Sequence, residues 1–108
     1  MSKSLIVKGR PGKVKRGHYL FRLFMAGAGP NSRQALVNLR RLCKEYLNGR
    51  YAIETVDVTK DFEAAVRENI LVTPALVLVA PGPRVVILGN LSDQPKVLAA
   101  IRLSGSES

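Results

Sequence analysis

The stretch from His18 to Ala26 is apolar on both of its alternating faces: Tyr19, Phe21, Leu23 and Met25 fall on one side, and Leu20, Phe24 and Ala26, interrupted by Arg22, on the other. A strand of that composition has no face to give to water, so it belongs inside a sheet covered on both sides. It runs directly into Gly27-Ala28-Gly29-Pro30-Asn31-Ser32. There the glycines permit backbone angles that a side chain resists, Pro30 restricts the chain, and Asn31 or Ser32 stands where a helix is capped. A buried strand feeding a helix through a tight turn constrains the chain to an α/β design.

The remaining pattern extends that design. Ala35, Leu36, Leu39, Leu42, Cys43, Tyr46 and Leu47 recur at spacings of three and four, with Arg33, Asn38, Arg40, Arg41, Lys44 and Glu45 filling much of the rest. This predicts an amphipathic helix of about four turns that leaves at Asn48-Gly49. Tyr51 to Val58 alternates as a second strand, followed by a turn over Asp57 to Asp61, and strand-helix-strand predicts a parallel crossover. A short helix is expected over Phe62 to Asn69 with Phe62, Ala65 and Val66 inward. Ala75 to Ala80 forms a nearly continuous apolar strand, and Arg84 to Leu88, after Pro81-Gly82-Pro83, pairs with it as a hairpin. Ser92 is placed to cap a last helix from Asp93 to Leu103, with Pro95 in its first turn and Val97, Leu98 and Ile101 inward. The order is βαβαββα, in a single domain over 18–103 with a basic leader over 1–17 and a short tail over 104–108.

A chain of 108 residues, 46% apolar, has material for one core and not for two. Its formal charge of +9 is unevenly spread. Residues 1–44 hold eleven Lys and Arg and no acid, whereas residues 45–108 hold six Lys and Arg against eight Asp and Glu, giving +11 and −2. The leader could meet an acidic protein face or nucleic acid, or could simply be solvated; charge alone supplies no geometry for reading bases. Arg33, Arg40, Arg41 and Lys44 make a basic helix face that is either solvated or a docking surface. Nucleic-acid binding is the weaker alternative, because Tyr19, Phe21 and Phe24 are better explained as core than as stacking platforms. No apolar run approaches the roughly 18 residues of a membrane span, and no signal-type apolar core follows the basic start, which reads as cytoplasmic.

Chemistry is harder to find. The glycine turn is where a dithiol would be presented, yet the only cysteine, Cys43, lies well inside the helix at an apolar position, as a core thiol. His18 has no ligand companions for a metal, Gly27-Ala28-Gly29 lacks the longer glycine and lysine pattern of a phosphate loop, and the acids form no catalytic dyad. The residues predict no enzyme, no cofactor and no metal.

Taken together, the glycine turn with Pro30-Asn31-Ser32, Val56-Asp57-Val58, Ile70-Leu71-Val72-Thr73-Pro74, Pro81-x-Pro83, and Gly89-Asn90-Leu91-Ser92-Asp93 with Lys96-Val97-Leu98 resemble the circadian clock protein KaiB family, from Tyr19 to Leu103. The resemblance implies a thioredoxin-like α/β fold, with an alternative βαββααβ arrangement of the C-terminal half that assembles as dimers or tetramers. It also implies a non-enzymatic partner of the ring ATPase KaiC that in a full oscillator captures KaiA or competes with the clock histidine kinase, whose sensor domain is related. A stress-response adaptor is the alternative within the same scaffold.

Carried over position by position, the family's partner-contacting surface maps to Arg22, Ala52, Glu54 and Asn69. Arg22 and Ala52 fit the family pattern, while Glu54 and Asn69 stand where the family has lysines. The conformational positions map to Tyr19, Pro74, Gly89, Ala100 and Arg102. Pro74 resembles the cis-proline of thioredoxin-like proteins. Ala100 and Arg102 replace a glycine and an acid common in members that rest as tetramers. Alanine over glycine in a helix interior, and a cation near a helix C-terminus, both favour the last helix, and with it the thioredoxin-like state.

Overall fold

The structure, a computed structural model, describes residues 18–105; the basic leader expected over 1–17 lies outside the described residues, as do 106–108. The elements run β1 (Tyr19–Met25), α1 (Pro30–Tyr46), β2 (Tyr51–Asp57), α2 (Phe62–Glu68), β3 (Ala75–Ala80), β4 (Val85–Leu88) and α3 (Gln94–Gly105). This is the predicted βαβαββα order.

The sheet order is β2-β1-β3-β4, which puts the two-faced strand in the interior. β1 lies parallel to β2, with Tyr19 opposite Tyr51 and Met25 opposite Asp57. β3 runs antiparallel to β1, and β4 antiparallel to β3 from Ala75 opposite Leu88 to Leu78 opposite Val85. On one face Phe21, Leu23, Leu76, Leu78 and Ile87 pack with Ala35, Leu39, Leu42 and Cys43 of α1 and Val97, Ala100 and Ile101 of α3. On the other, Phe24, Val56, Ala75 and Val77 pack with Ala64, Ala65 and Ile70 from α2 and the residues after it. Alternation along β1 therefore feeds two cores, and the molecule is a three-layer α/β/α stack.

Several local details differ from the expectations. α1 is not capped by Asn31 or Ser32: Gly29 is the cap, extended at φ −64° and ψ 163°, and makes no side-chain bond. Pro30, with φ already set for a helix, starts it early enough that both residues fall inside the first turn. Ser32 is buried there, its Oγ accepting from the Ala26 amide at 3.4 Å. At the other end of α1, Tyr46 is exposed instead of inward, its hydroxyl accepting from Gln94 Nε2 at 3.2 Å.

In α2 the inward residues are Ala64 and Ala65, whereas Phe62 and Val66 face solvent. Small side chains let this short helix sit close to the sheet, while Asp61, which accepts from the Ala64 amide at 3.2 Å, and left-handed Asn69 fix its rotation. α3 is capped by Asp93 and not Ser92, with the Lys96 amide donating to Asp93 Oδ1 at 3.3 Å. It continues to Gly105, past the expected boundary at 103.

Candidate partner-binding surface

The glycine turn is held by a carboxylate from the neighbouring strand. Asp57 ends β2, and its Oδ1 accepts from the Gly27 amide at 3.0 Å, the Thr59 amide at 3.0 Å and the Thr59 hydroxyl at 2.6 Å. Gly27 itself adopts φ +66°, which a side chain resists. The Asp57 carboxyl titrates below its ordinary range, because the Thr59 hydroxyl and then the Gly27 and Thr59 amides favour the charged form. No thiol stands at this turn. Cys43 lies in the core beneath α1, where burial pushes its pKa up to about 12, so it is not a thiolate at neutral pH. Among the described residues no group of His, Cys, Asp and Glu is arranged to hold a metal ion, and no helix is long and apolar enough to cross a membrane.

Of the residues expected to meet a partner, three gather at the C-terminal end of α2. Parallel register sets Arg22 of β1 opposite Glu54 of β2. Arg22 Nε lies 2.8 Å from Glu54 Oε1, and the same guanidinium reaches Glu68 Oε2 at 3.0 Å. Glu68, the last residue of α2, is bridged in turn by Arg84 at 3.3 Å, and its carbonyl accepts from Arg84 Nη2 at 2.7 Å. Glu54 is only 8% exposed, so it is a structural partner of Arg22 and not an outward contact. A lysine in its place would set two cations side by side on the sheet.

Asn69 follows Glu68 as the exposed C-cap of α2, at φ +60°, a conformation asparagine tolerates better than lysine does. Ala52 lies farther along β2, opposite Leu20, and is half-buried. Glu68 and Arg84 were not singled out in the sequence, although each stands at the end of a predicted element.

Of the conformational positions, Pro74 and Gly89 meet at the start of β3, while Tyr19, at the start of β1, lies toward the other end of β3. The Thr73–Pro74 bond is cis, as are Ala80–Pro81 and Gly82–Pro83. The Pro74 carbonyl accepts from the Gly89 amide at 2.9 Å, and Gly89 takes φ +103°. Tyr19 stacks near Phe21 with centroids 6.3 Å apart. Ala100 is buried in the α1/α3 core, and Arg102 is exposed in the last part of α3.

Asn38 contradicts its expected place on the polar side of α1. It is buried, donates from Nδ2 to the Asn90 carbonyl at 2.8 Å, and accepts at Oδ1 from Gln34 at 3.1 Å and Arg41 at 2.9 Å. An amide satisfied on both atoms thus ties α1 to the loop before α3. Arg33, Arg40, Arg41 and Lys44 are exposed on α1 as expected.

An apolar surface surrounds the α2 end of this region. Leu71 is 93% exposed, Val72 is exposed two residues before Pro74, and Phe62 and Val66 face outward from α2. Val86 and Leu88, on the edge strand β4, are exposed opposite Val77 and Ala75, on the sheet face that α2 covers only in part. Large apolar side chains left uncovered around charged and polar neighbours are the ordinary make-up of a protein-binding surface.

Comparison with known proteins agrees with this geometry. The KaiB domain profile matches residues 22–103. The chain is 41% identical over 85 residues to the circadian clock oscillator protein KaiB of Microcystis aeruginosa, covering 79% of this chain and 82% of that protein. It is 40% identical over 88 residues to the protein of that name from Gloeothece citriformis, covering 82% and 83%. Among solved structures, the N-terminal domain of Synechococcus elongatus SasA superposes with a TM-score of 0.69 at 22% identity, covering 100% of this chain and 97% of that one. Fasciola hepatica thioredoxin gives 0.63 at 22% identity, covering 82% and 83%. The two structural likenesses establish a thioredoxin-like fold, and the sequence match over most of the chain establishes that it belongs to the KaiB family.

Proposed function

We propose that this protein is a non-enzymatic regulator that binds a KaiC-type ring ATPase in a circadian clock or a signalling system derived from one. The observation that carries this is the apolar surface of Leu71, Val72, Val86 and Leu88 beside Asn69, which no other part of the described chain covers. Its neighbours Arg22, Glu54, Glu68 and Arg84 are occupied with one another, so this surface offers shape and apolar area in preference to the lysines other family members present. KaiA capture or competition with a clock histidine kinase would follow ring binding. The alternative βαββααβ state, as a dimer or tetramer, is the minor form here, because Ala100 and Arg102 favour α3.

Size-exclusion chromatography with light scattering, on the protein alone and then with the host's KaiC-like ATPase under ADP and under ATP, tests the proposal. A nucleotide-dependent complex of ring size is the expected result, weakened by Leu71→Ser. Failure to bind any intact ring ATPase of the host would overturn it.

A further inference from the structure

α1 gives one flank to the sheet and the opposite flank to solvent. Ala35, Leu39, Leu42 and Cys43 are buried, whereas Arg33, Val37, Arg40, Arg41 and Lys44 are exposed. At 3.6 residues per turn, Arg33, Arg40 and Lys44 fall almost on one line, with Val37 and Arg41 beside it. The line is about 16 Å long, three turns of helix. Arg33, Arg40 and Lys44 have no carboxylate partner among the described residues, because the ion pairs there join Arg22 and Arg84 to Glu54 and Glu68. Arg41 is braced by its bond to Asn38 Oδ1 at 2.9 Å. Among these cations stands Val37, 53% exposed, a β-branched residue where a lysine or glutamate would suit an exposed helix better.

We propose that this outer face of α1 docks an acidic amphipathic helix of a partner protein. Helices packed side by side share one axial rise, so carboxylates spaced seven and four residues apart on the partner align with Arg33, Arg40 and Lys44, and an apolar residue between them lies against Val37. A nucleic-acid strand fits less well: the stripe carries no aromatic ring for stacking, and Phe21 and Phe24 are wholly buried in β1. A lipid surface asks for a broad apolar flank, and one valine does not supply it. This surface is distinct from that of Leu71 and Leu88, so helix docking and ring binding can fail separately.

The full-length protein is titrated, by fluorescence anisotropy, into three labelled probes at physiological salt. The first is a synthetic helical peptide with one leucine flanked by glutamates at the spacing of the bases; the others are a scrambled peptide of equal composition and oligo(dT). The basic leader is present throughout, so unspecific attraction of anions stays constant. The patterned peptide is expected to bind about tenfold more tightly than the scrambled one, to lose about tenfold in R40Q/K44Q, as two exposed ion pairs allow, and to lose about threefold in Val37→Ser. All three positions are exposed, and circular dichroism checks that the variants fold. Equal binding of the scrambled peptide, indifference to both variants, absence of binding, or preferred binding of oligo(dT) through Arg40 and Lys44 would overturn the proposal.

Discussion

Replacing Glu54 with glutamine removes a carboxylate that is 8% exposed and lies 2.8 Å from Arg22 Nε, while leaving the size and shape of the side chain almost unchanged. Breaking a buried ion pair by removing one member costs about 3–5 kcal/mol, because the other charge is stranded away from water. Here Arg22 is not wholly stranded, since Glu68 Oε2 remains 3.0 Å from its guanidinium. The loss should therefore fall at or just below the lower end of that range, at about 2–3 kcal/mol. Glu54→Lys should cost more, because it puts a second cation against Arg22 in a half-covered sheet. Urea unfolding followed by far-UV circular dichroism reads both variants, provided that the slope with denaturant is unchanged from the parent. Sodium chloride at 1 M should leave most of the Glu54→Gln loss in place, since screening acts chiefly on exposed pairs. A loss below about 1 kcal/mol, the range of an exposed pair, would refute the placement of Glu54 as a buried structural partner.

Two further outcomes follow from the geometry. Asp57 has its pKa lowered in the folded state, so it contributes stability above the unfolded carboxylate value of about 3.9, and that contribution is lost as pH falls through the folded value. Asp57→Asn should therefore be less stable than the parent at neutral pH, with the difference narrowing below about pH 4 in parallel urea titrations; a difference constant across that window would count against it. Ala100→Gly with Arg102→Asp removes a buried methyl group and a favourable helix residue, together about 1–2 kcal/mol, and takes a cation from the last turns of α3. Backbone chemical shifts of that double variant should show strand values growing in over Lys96 to Leu103. Unchanged helical shifts, with only a lower unfolding midpoint, would mean that no second state lies within reach.

What the sequence disclosed depended on how local the determining signal is. The two-faced pattern of His18 to Ala26 needs only alternation to be read, and it placed β1 inside the sheet before any partner strand was known. The fixed φ of Pro30 carried the helix start, but whether Gly29 or Asn31 caps it depends on a single dihedral. The rotation of α2 is not legible in the sequence, because seven residues are too few for a helical period to outvote the size of Phe62 and Val66; in the fold the alanines that allow close approach face the sheet.

Arg22 and Glu54 are 32 positions apart, so their pairing exists only once parallel register aligns Tyr19 with Tyr51. Against the family pattern Glu54 stands for a missing lysine contact; in the sheet it makes an ion pair with Arg22 instead. Asn38 did leave a signal, a polar residue at helical spacing from Ala35 and Leu42 on the inward flank, but its acceptor lies 52 positions away.

The edge strand β4 has a consequence for how copies of the protein behave in concentrated solution. Among the described residues nothing pairs with the outer edge of Val85 to Leu88, which has no charged residue within the strand, and strands left open in this way are templates for pairing with another chain. Two things restrain it: the strand is only four residues long, and every copy carries a formal charge of +9. At low ionic strength that charge holds molecules apart; at 1 M salt the screening length falls to about 3 Å and the restraint is lifted. Colloidal stability of the protein is therefore set by charges concentrated at one end of the sequence, acting for an unguarded edge near the other.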